Sequence, residues 1–243
     1  MKKSKIVILI LIISIIVSSI YFGVKTKQSF KDDMNFNNIT WIDDMNVNIL
    51  YEPNDNTDMS FANIYYNDKI DTVNDLNEKS ILIAKVRPTD PNQRLNLLQT
   101  ILTKVEILNV YKGNYKKGEK IYIYEPSYIS LLYKTKQSTY ASFNCYNLML
   151  NDKEYIVFLK KPKYPNGYKL KDREKISFMF INPLLGKYSV DSDKNTSLLS
   201  KEELNKIKYG SIKKYDIVTT SKETLDKYNI FRDGIEKQYI INQ

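Results

Sequence analysis

The chain contains no histidine and a single cysteine, Cys145, among 243 residues. The first absence removes histidine-dependent triads, Cys/His zinc sites and haem ligation through histidine. The second removes any intramolecular disulfide. A secreted eukaryotic domain of this size would carry paired cysteines, so the lone thiol fits an extracytoplasmic bacterial protein that makes little use of disulfides. With no histidine to activate it, Cys145 in Phe143-Asn144-Cys145-Tyr146 reads as a small buried residue rather than a nucleophile. Acidic residues are also missing from the first 31 positions.

That stretch holds instead Lys2, Lys3 and Lys5, an uncharged run from Ile6 to Val24, and then Lys25, Lys27 and Lys31. At a helical rise of 1.5 Å per residue the run reaches roughly 28 Å, about the hydrocarbon thickness of a bilayer. Residues 6–24 are therefore expected to form a transmembrane signal anchor, with residues 1–5 as a cytoplasmic stub by the positive-inside tendency. The bulk of the chain then lies outside a cell membrane that it spans once. A cleaved signal peptide with its apolar core at Ile6–Val17, giving a secreted protein, is the alternative. The apolar character continues through Ile20, Tyr21 and Phe22, and no Ala-x-Ala site follows, which favours the anchor.

The net charge of +9 changes meaning once these flanks are set aside. From Asp32 onward there are 31 basic and 28 acidic residues, a balance of +3. Nucleic-acid binders carry a basic patch on the folded part. On this near-neutral balance a nucleic-acid partner is not expected.

Residues 25–70 are rich in Asn and Asp and read as a stalk and N-terminal extension, with one strand through Val47, Ile49 and Tyr51. Asp71–Lys79 reads as a short helix capped by Thr72. Ser80–Val86 is an apolar strand stopped by Pro88. Thr100–Tyr111 alternates as a long strand, with a second buried face expected near its end at Leu108 and Val110. A turn at Tyr111-Lys112-Gly113-Asn114 leads to the alternating strand Lys120–Tyr124, which is a hairpin signature. Residues 127–146 read as an irregular Tyr/Ser/Lys-rich excursion. Glu154–Leu159, Lys175–Ile181 and Lys187–Val190 read as further strands. After residue 191 the period changes: Ser200-Lys201-Glu202-Glu203 and Thr220-Ser221-Lys222-Glu223 both read as capping boxes. The second opens a helix with Leu225, Tyr228, Phe231, Ile235 and Tyr239 on one face. The chain is thus expected to be mainly β, a small antiparallel barrel or twisted sheet over residues 71–190 with a helical segment at 191–243.

Five segments in this order carry a resemblance: Ser80–Val86, Val105-Glu106-Ile107-Leu108-Asn109-Val110-Tyr111-Lys112-Gly113, Gly118-Glu119-Lys120-Ile121, Glu154–Leu159 and Gly186-Lys187-Tyr188. Together residues 71–190 resemble a group of exported, membrane- or lipid-anchored proteins of low-GC Gram-positive bacteria, mostly without assigned function. The resemblance implies an OB-type or netrin-like β-barrel core and transfers no functional residue. No cysteine follows the apolar run, which departs from the lipid-anchored members.

Two constellations could carry chemistry. Asp191, Asp193, Asn195 and Glu202 occupy positions 1, 3, 5 and 12 of a calcium-loop pattern, followed by a helix. Thr196 stands where that pattern needs glycine, and a strand precedes it, so a polar turn before a capped helix is the competing reading. No other cofactor is implied. The second constellation is aromatic: Tyr111, Tyr122, Tyr124, Tyr128 and Tyr133, with Tyr115 and Tyr140, surround the hairpin and the excursion. They could line a groove for a protein, peptide or glycan of the cell envelope. The expected function is a membrane-anchored binding module without catalytic chemistry. The alternative is a cell-envelope hydrolase using carboxylates or a Ser–Lys pair such as Ser138 and Lys136.

Overall fold

The computed structural model describes residues 12–23, 42–49, 65–66, 68–89, 94–97, 99–132, 137–191 and 196–241. The chain divides into two compact units, residues 1–35 and 36–243. In the first, residues 12–23 form a helix with exposed side chains. Among the described residues no helix is long and apolar enough to cross a membrane. Residues 6–11 and 24 of the expected anchor lie outside them.

The second unit is built on a closed five-stranded barrel. In chain order its strands are β1 (Asn46–Ile49), β2 (Leu82–Pro88), β3 (Leu95–Asn96), β4 (Ile101–Lys112), β5 (Lys120–Glu125), β6 (Ser127–Leu132), β7 (Gln137–Ser142), β8 (Tyr155–Lys160), β9 (Ser177–Phe180), β10 (Lys187–Ser189), β11 (Thr196–Leu198) and β12 (Ile217–Thr219). Antiparallel pairing runs β8–β2–β4–β5, β9 lies parallel to β5, and β9 returns antiparallel to β8. The expected all-antiparallel barrel therefore closes through one parallel pair. That pair forms because the chain crosses from β8 back to the far side of β5 instead of adding a hairpin.

Alternation explains which faces are covered. Leu82, Ala84, Val86, Val105, Ile107, Ile121, Ile123, Val157, Leu159, Phe178 and Phe180 share one buried cluster inside the barrel. The opposite parity of β2 and β8 (Ile83, Ile156, Phe158) joins a second cluster with Leu76, Tyr188, Tyr228, Phe231 and Ile235. The last three come from the helix Lys222–Ile235. Two buried faces account for the near-continuous apolar runs of β2 and β8. Each fully buried side chain of this size contributes about 2 kcal/mol. On β4 and β5 the outward residues Lys104, Glu106, Leu108, Tyr122 and Tyr124 are only partly covered.

Local devices largely follow the sequence. Thr72 caps the helix Val73–Lys79 with a full capping box, and Ser200 does the same for Lys201–Leu204. The helix Lys222–Ile235 is capped by Ser221, whose hydroxyl accepts from Thr224 N, so the cap lies one residue past Thr220 and is a single N-cap bond in place of the expected box. The turn after β4 uses Gly113 at φ +111°, where an added Cβ would lie 3.0 Å from the Ile81 carbonyl oxygen. The helical face Tyr228–Phe231–Ile235–Tyr239 is buried, and the last turn relaxes into a π-helix at Glu236–Ile241.

Three expectations need correction. Within the stretch read as irregular, β6 and β7 pair antiparallel, and β1 adds parallel to β7. Ser127 and Ile129 on β6, and Ser138, Tyr140 and Ser142 on β7, share the covered parity of that pleat. On β4 the doubly buried part is the start, at Ile101 and Leu102, because β3 pairs there; Leu108 and Val110 are half-buried. The strand expected over Lys175–Ile181 starts at Ser177, because a helical turn, Asp172–Lys175, precedes it.

Candidate functional site

An aromatic cleft of about 350 Å³ opens beside β5. Three separate connections build it. Leu97, Gln99 and Thr100 come from the link between β2 and β4, Phe143 follows β7, and Pro162, Lys163, Tyr164 and Pro165 follow β8. Tyr124 and Pro126 of the β5 end, Met179 of β9, and Tyr65 and Tyr66 complete the lining. Pro162 stops β8, and Pro165 with the turn at Asn166-Gly167 folds the connection back. Tyr168 then stacks on Tyr164 at 5.6 Å between centroids and 5° between planes.

The polar groups around this cleft are few. Gln99 Oε1 is buried and has no hydrogen-bond partner among the described residues. Burial, and then the nearby Tyr124, push the Tyr164 phenol upward. The Tyr168 hydroxyl donates to Glu174 Oε1 at 2.9 Å, which raises it as well. Both phenols are neutral in the physiological range. Lys161 ties the connection to the barrel: its ammonium lies 3.7 Å from the Phe178 ring centroid and donates to the Lys175 and Ser177 carbonyls. Lys160 pairs with Asp68. Among the described residues no carboxylate side chain lines the cleft.

A second concentration of polar groups is sealed inside. Glu125, fully buried, accepts from Thr103 Oγ1, from the Tyr146 hydroxyl at 2.5 Å and from Met149 N at 2.9 Å. Asp216, 2 % exposed, accepts from Ser189 N and Oγ, Tyr228 and Arg232. Lys187 donates to the Asn147 carbonyl and faces the Tyr146 and Tyr155 rings at 4.5 and 5.2 Å. Burial pushes Lys187 down to about 8, with Asp216 and Glu125 acting in the opposite direction. The Asn147 amide donates to the Ile212 and Tyr215 carbonyls, joining the barrel interior to the C-terminal segment. Both carboxylates are buried and accept from donors of the fold itself.

The tyrosines named from the sequence separate. Tyr124 lines the cleft, and Tyr122 shares its outward parity on β5 with the Lys104 ammonium 5.8 Å from its ring. Tyr128 packs on Phe143, 6.1 Å between centroids, at the cleft margin. Tyr111 belongs elsewhere: its ring lies 4.9 Å from Tyr239 and its hydroxyl donates to the Tyr239 carbonyl. The end of β4 runs under the C-terminal helix, which takes Tyr111 out of the group. Tyr133 is outside the described residues. Residues missed in sequence are Phe143, Tyr164 and Tyr168; Pro162 and Pro165 around a dense run of lysines were their available signal.

Of the calcium pattern, Asp193 and Asn195 lie outside the described residues. The Asp191 carboxylate pairs with Lys153 at 3.0 Å and its carbonyl accepts from Arg232. Glu202 sits in the exposed first turn of Lys201–Leu204. Among the described residues no three His, Cys, Asp or Glu side chains converge. Ser138 is buried in β7, and Lys136 is outside the described residues. Cys145 is fully buried and follows Asn144, both at positive φ (63° and 48°). No known protein family, curated protein or solved structure matches this chain.

Proposed function

We propose that the chain is a membrane-anchored, extracytoplasmic binding module whose ligand, a protein, peptide or glycan of the cell envelope, seats in the cleft beside β5. The observation that carries this reading is the cleft itself: aromatic, half-open, and lined by tyrosines with no carboxylate among the described residues. Large rigid apolar rings with a polar tip give contact area at little entropic cost.

The order of strands around the barrel supports an OB-type fold. Counting only barrel strands, it runs first, second, third, fifth, fourth, with the parallel pair between third and fifth. OB-type barrels use the outer face of the second and third strands, with the first–second and fourth–fifth connections, to hold ligands. Here those are β4–β5, residues 89–100 and residues 161–176, the pieces that surround the cleft. The lysine-flanked apolar run at residues 6–24 supports the anchored placement.

Photo-crosslinking in intact cells tests both parts. A photoreactive phenylalanine at Tyr124 of the full chain is expected to capture an envelope component, while the same probe at Tyr111 captures none. Equal capture from the two positions, or none from Tyr124, contradicts the cleft reading. Recovery of the native chain in the cytosolic fraction contradicts the placement.

A further inference from the structure

The near-neutral balance of the folded part hides a sharp segregation. Residues 160–175 hold seven Lys or Arg against two acids, while the rest of the chain from Asp32 onward holds 24 against 26. All of the positive excess outside the N-terminal flanks therefore sits in the one connection that forms a wall of the cleft.

Within that connection the two acids are already engaged. Glu174 accepts from Tyr168 and from Lys171 N, and Asp172 pairs with Lys175 at 2.8 Å. Lys163, Lys169, Lys171 and Arg173 are exposed and form no ion pair among the described residues. The backbone between them is held by the stacked Tyr164–Tyr168 pair and by Lys161 on Phe178. Lys163 lines the cleft, and Lys169, Lys171 and Arg173 follow it on the same connection, so one segment carries both Tyr164 of the aromatic lining and the exposed cations.

We propose that the ligand is an acidic glycan: one sugar ring seats against Tyr124 and Tyr164, and its carboxylate, sulfate or phosphate groups meet Lys163, Lys169, Lys171 and Arg173. This deepens the cleft reading and rests on it. Sugar rings present apolar faces to aromatic rings, and hydroxyls on every unit can donate to Gln99 Oε1, the buried acceptor left without a partner. The neutral phenols add no repulsion toward an anion. Single-stranded nucleic acid uses similar groups, but the lysine-flanked apolar segment argues for a ligand outside the membrane.

Full-length chain in nanodiscs of zwitterionic lipid is titrated with hexasaccharides bearing uronate, sulfate or phosphate, with the carboxyl-reduced neutral hexasaccharide, with dodecathymidylate and with a poly-glutamate peptide. An acidic hexasaccharide is expected to bind about tenfold tighter than the neutral one and to weaken as salt rises. The quadruple variant Lys163→Gln, Lys169→Gln, Lys171→Gln, Arg173→Gln should lose about tenfold in affinity with its melting temperature unchanged. Equal binding of the neutral sugar, unaffected in that variant, overturns the charge assignment and leaves the cleft standing. Charge-dependent binding that survives Tyr124→Ala overturns the cleft reading instead. Tighter binding of the oligonucleotide or the peptide than of every acidic sugar overturns the ligand class. No binding of any glycan at about 1 mM overturns the proposal altogether.

Discussion

The sealed network around Asp216 and the rim around Tyr164 hold similar side chains under opposite conditions. Inside, Glu125, Lys187, Asp216 and Arg232 are each at most 2 % exposed, and every one has a hydrogen-bond partner. On the rim, four cations are exposed without ion pairs among the described residues, and the exposed Tyr168 stacks on the half-buried Tyr164. Desolvation makes the interior charges decisive for stability, because an unpaired charge there has nowhere to turn. Solvent makes the rim charges nearly irrelevant to stability and leaves them available to a partner. The same residue types therefore serve folding in one place and recognition in the other.

The comparison breaks most easily at Asp216. Asp216→Ala leaves the Arg232 guanidinium, Ser189 and Tyr228 without their shared acceptor, and denaturant unfolding should show a loss of about 3–5 kcal/mol. A loss below about 1 kcal/mol would mean that water reaches these groups and that the interior is not sealed.

Lys187 gives the next largest effect, and its sign is particular. Its folded pKa lies near 8, below the ordinary 10.5. The unfolded chain thus binds the proton more tightly, and stability rises with pH above 8. The gain should reach about 2 kcal/mol by pH 10, since one pKa unit is worth about 1.4 kcal/mol. Above that, the buried tyrosines, which burial keeps protonated, begin to act in the opposite sense. Stability curves of Lys187→Met between pH 8 and 10 should lack this rise. An unchanged slope would assign it to another group.

Much of the interior was legible in the sequence, and the rim was not. Alternation located β4 and β5, because a one-residue slip would turn each inward face outward, and apolar runs of strand length located β2, β8 and β9. The spacing of Tyr228, Phe231, Ile235 and Tyr239 located the C-terminal helix face by the same kind of argument. The β6–β7 hairpin escaped because Ser127, Ser138 and Ser142 occupy buried positions beside Ile129 and Tyr140, so no apolar alternation marks its covered face. The cleft escaped for a different reason: positions 97, 99, 100, 124, 143, 162–165 and 179 meet only after the barrel closes. The basic rim was hidden by summing charge over the chain, since 26 acids elsewhere cancel 24 cations.

Smaller effects sharpen the contrast from the rim side. Tyr164→Ala should cost about 1 kcal/mol or less, the range for a partly exposed side chain away from the core, while abolishing capture at the cleft. A loss as large as that of Asp216→Ala would make Tyr164 a structural residue. The four Gln replacements on the rim should change stability by no more than about 0.5 kcal/mol in denaturant.

Ring-labelled tyrosine NMR of the full chain, titrated with an acidic hexasaccharide, tests the central claim most directly. Resonances of Tyr124, Tyr164 and Tyr168 should shift together while those of Tyr140, Tyr188 and Tyr228 stay in place. Shifts at Tyr111 and Tyr239 with none at Tyr124 and Tyr164 would contradict it.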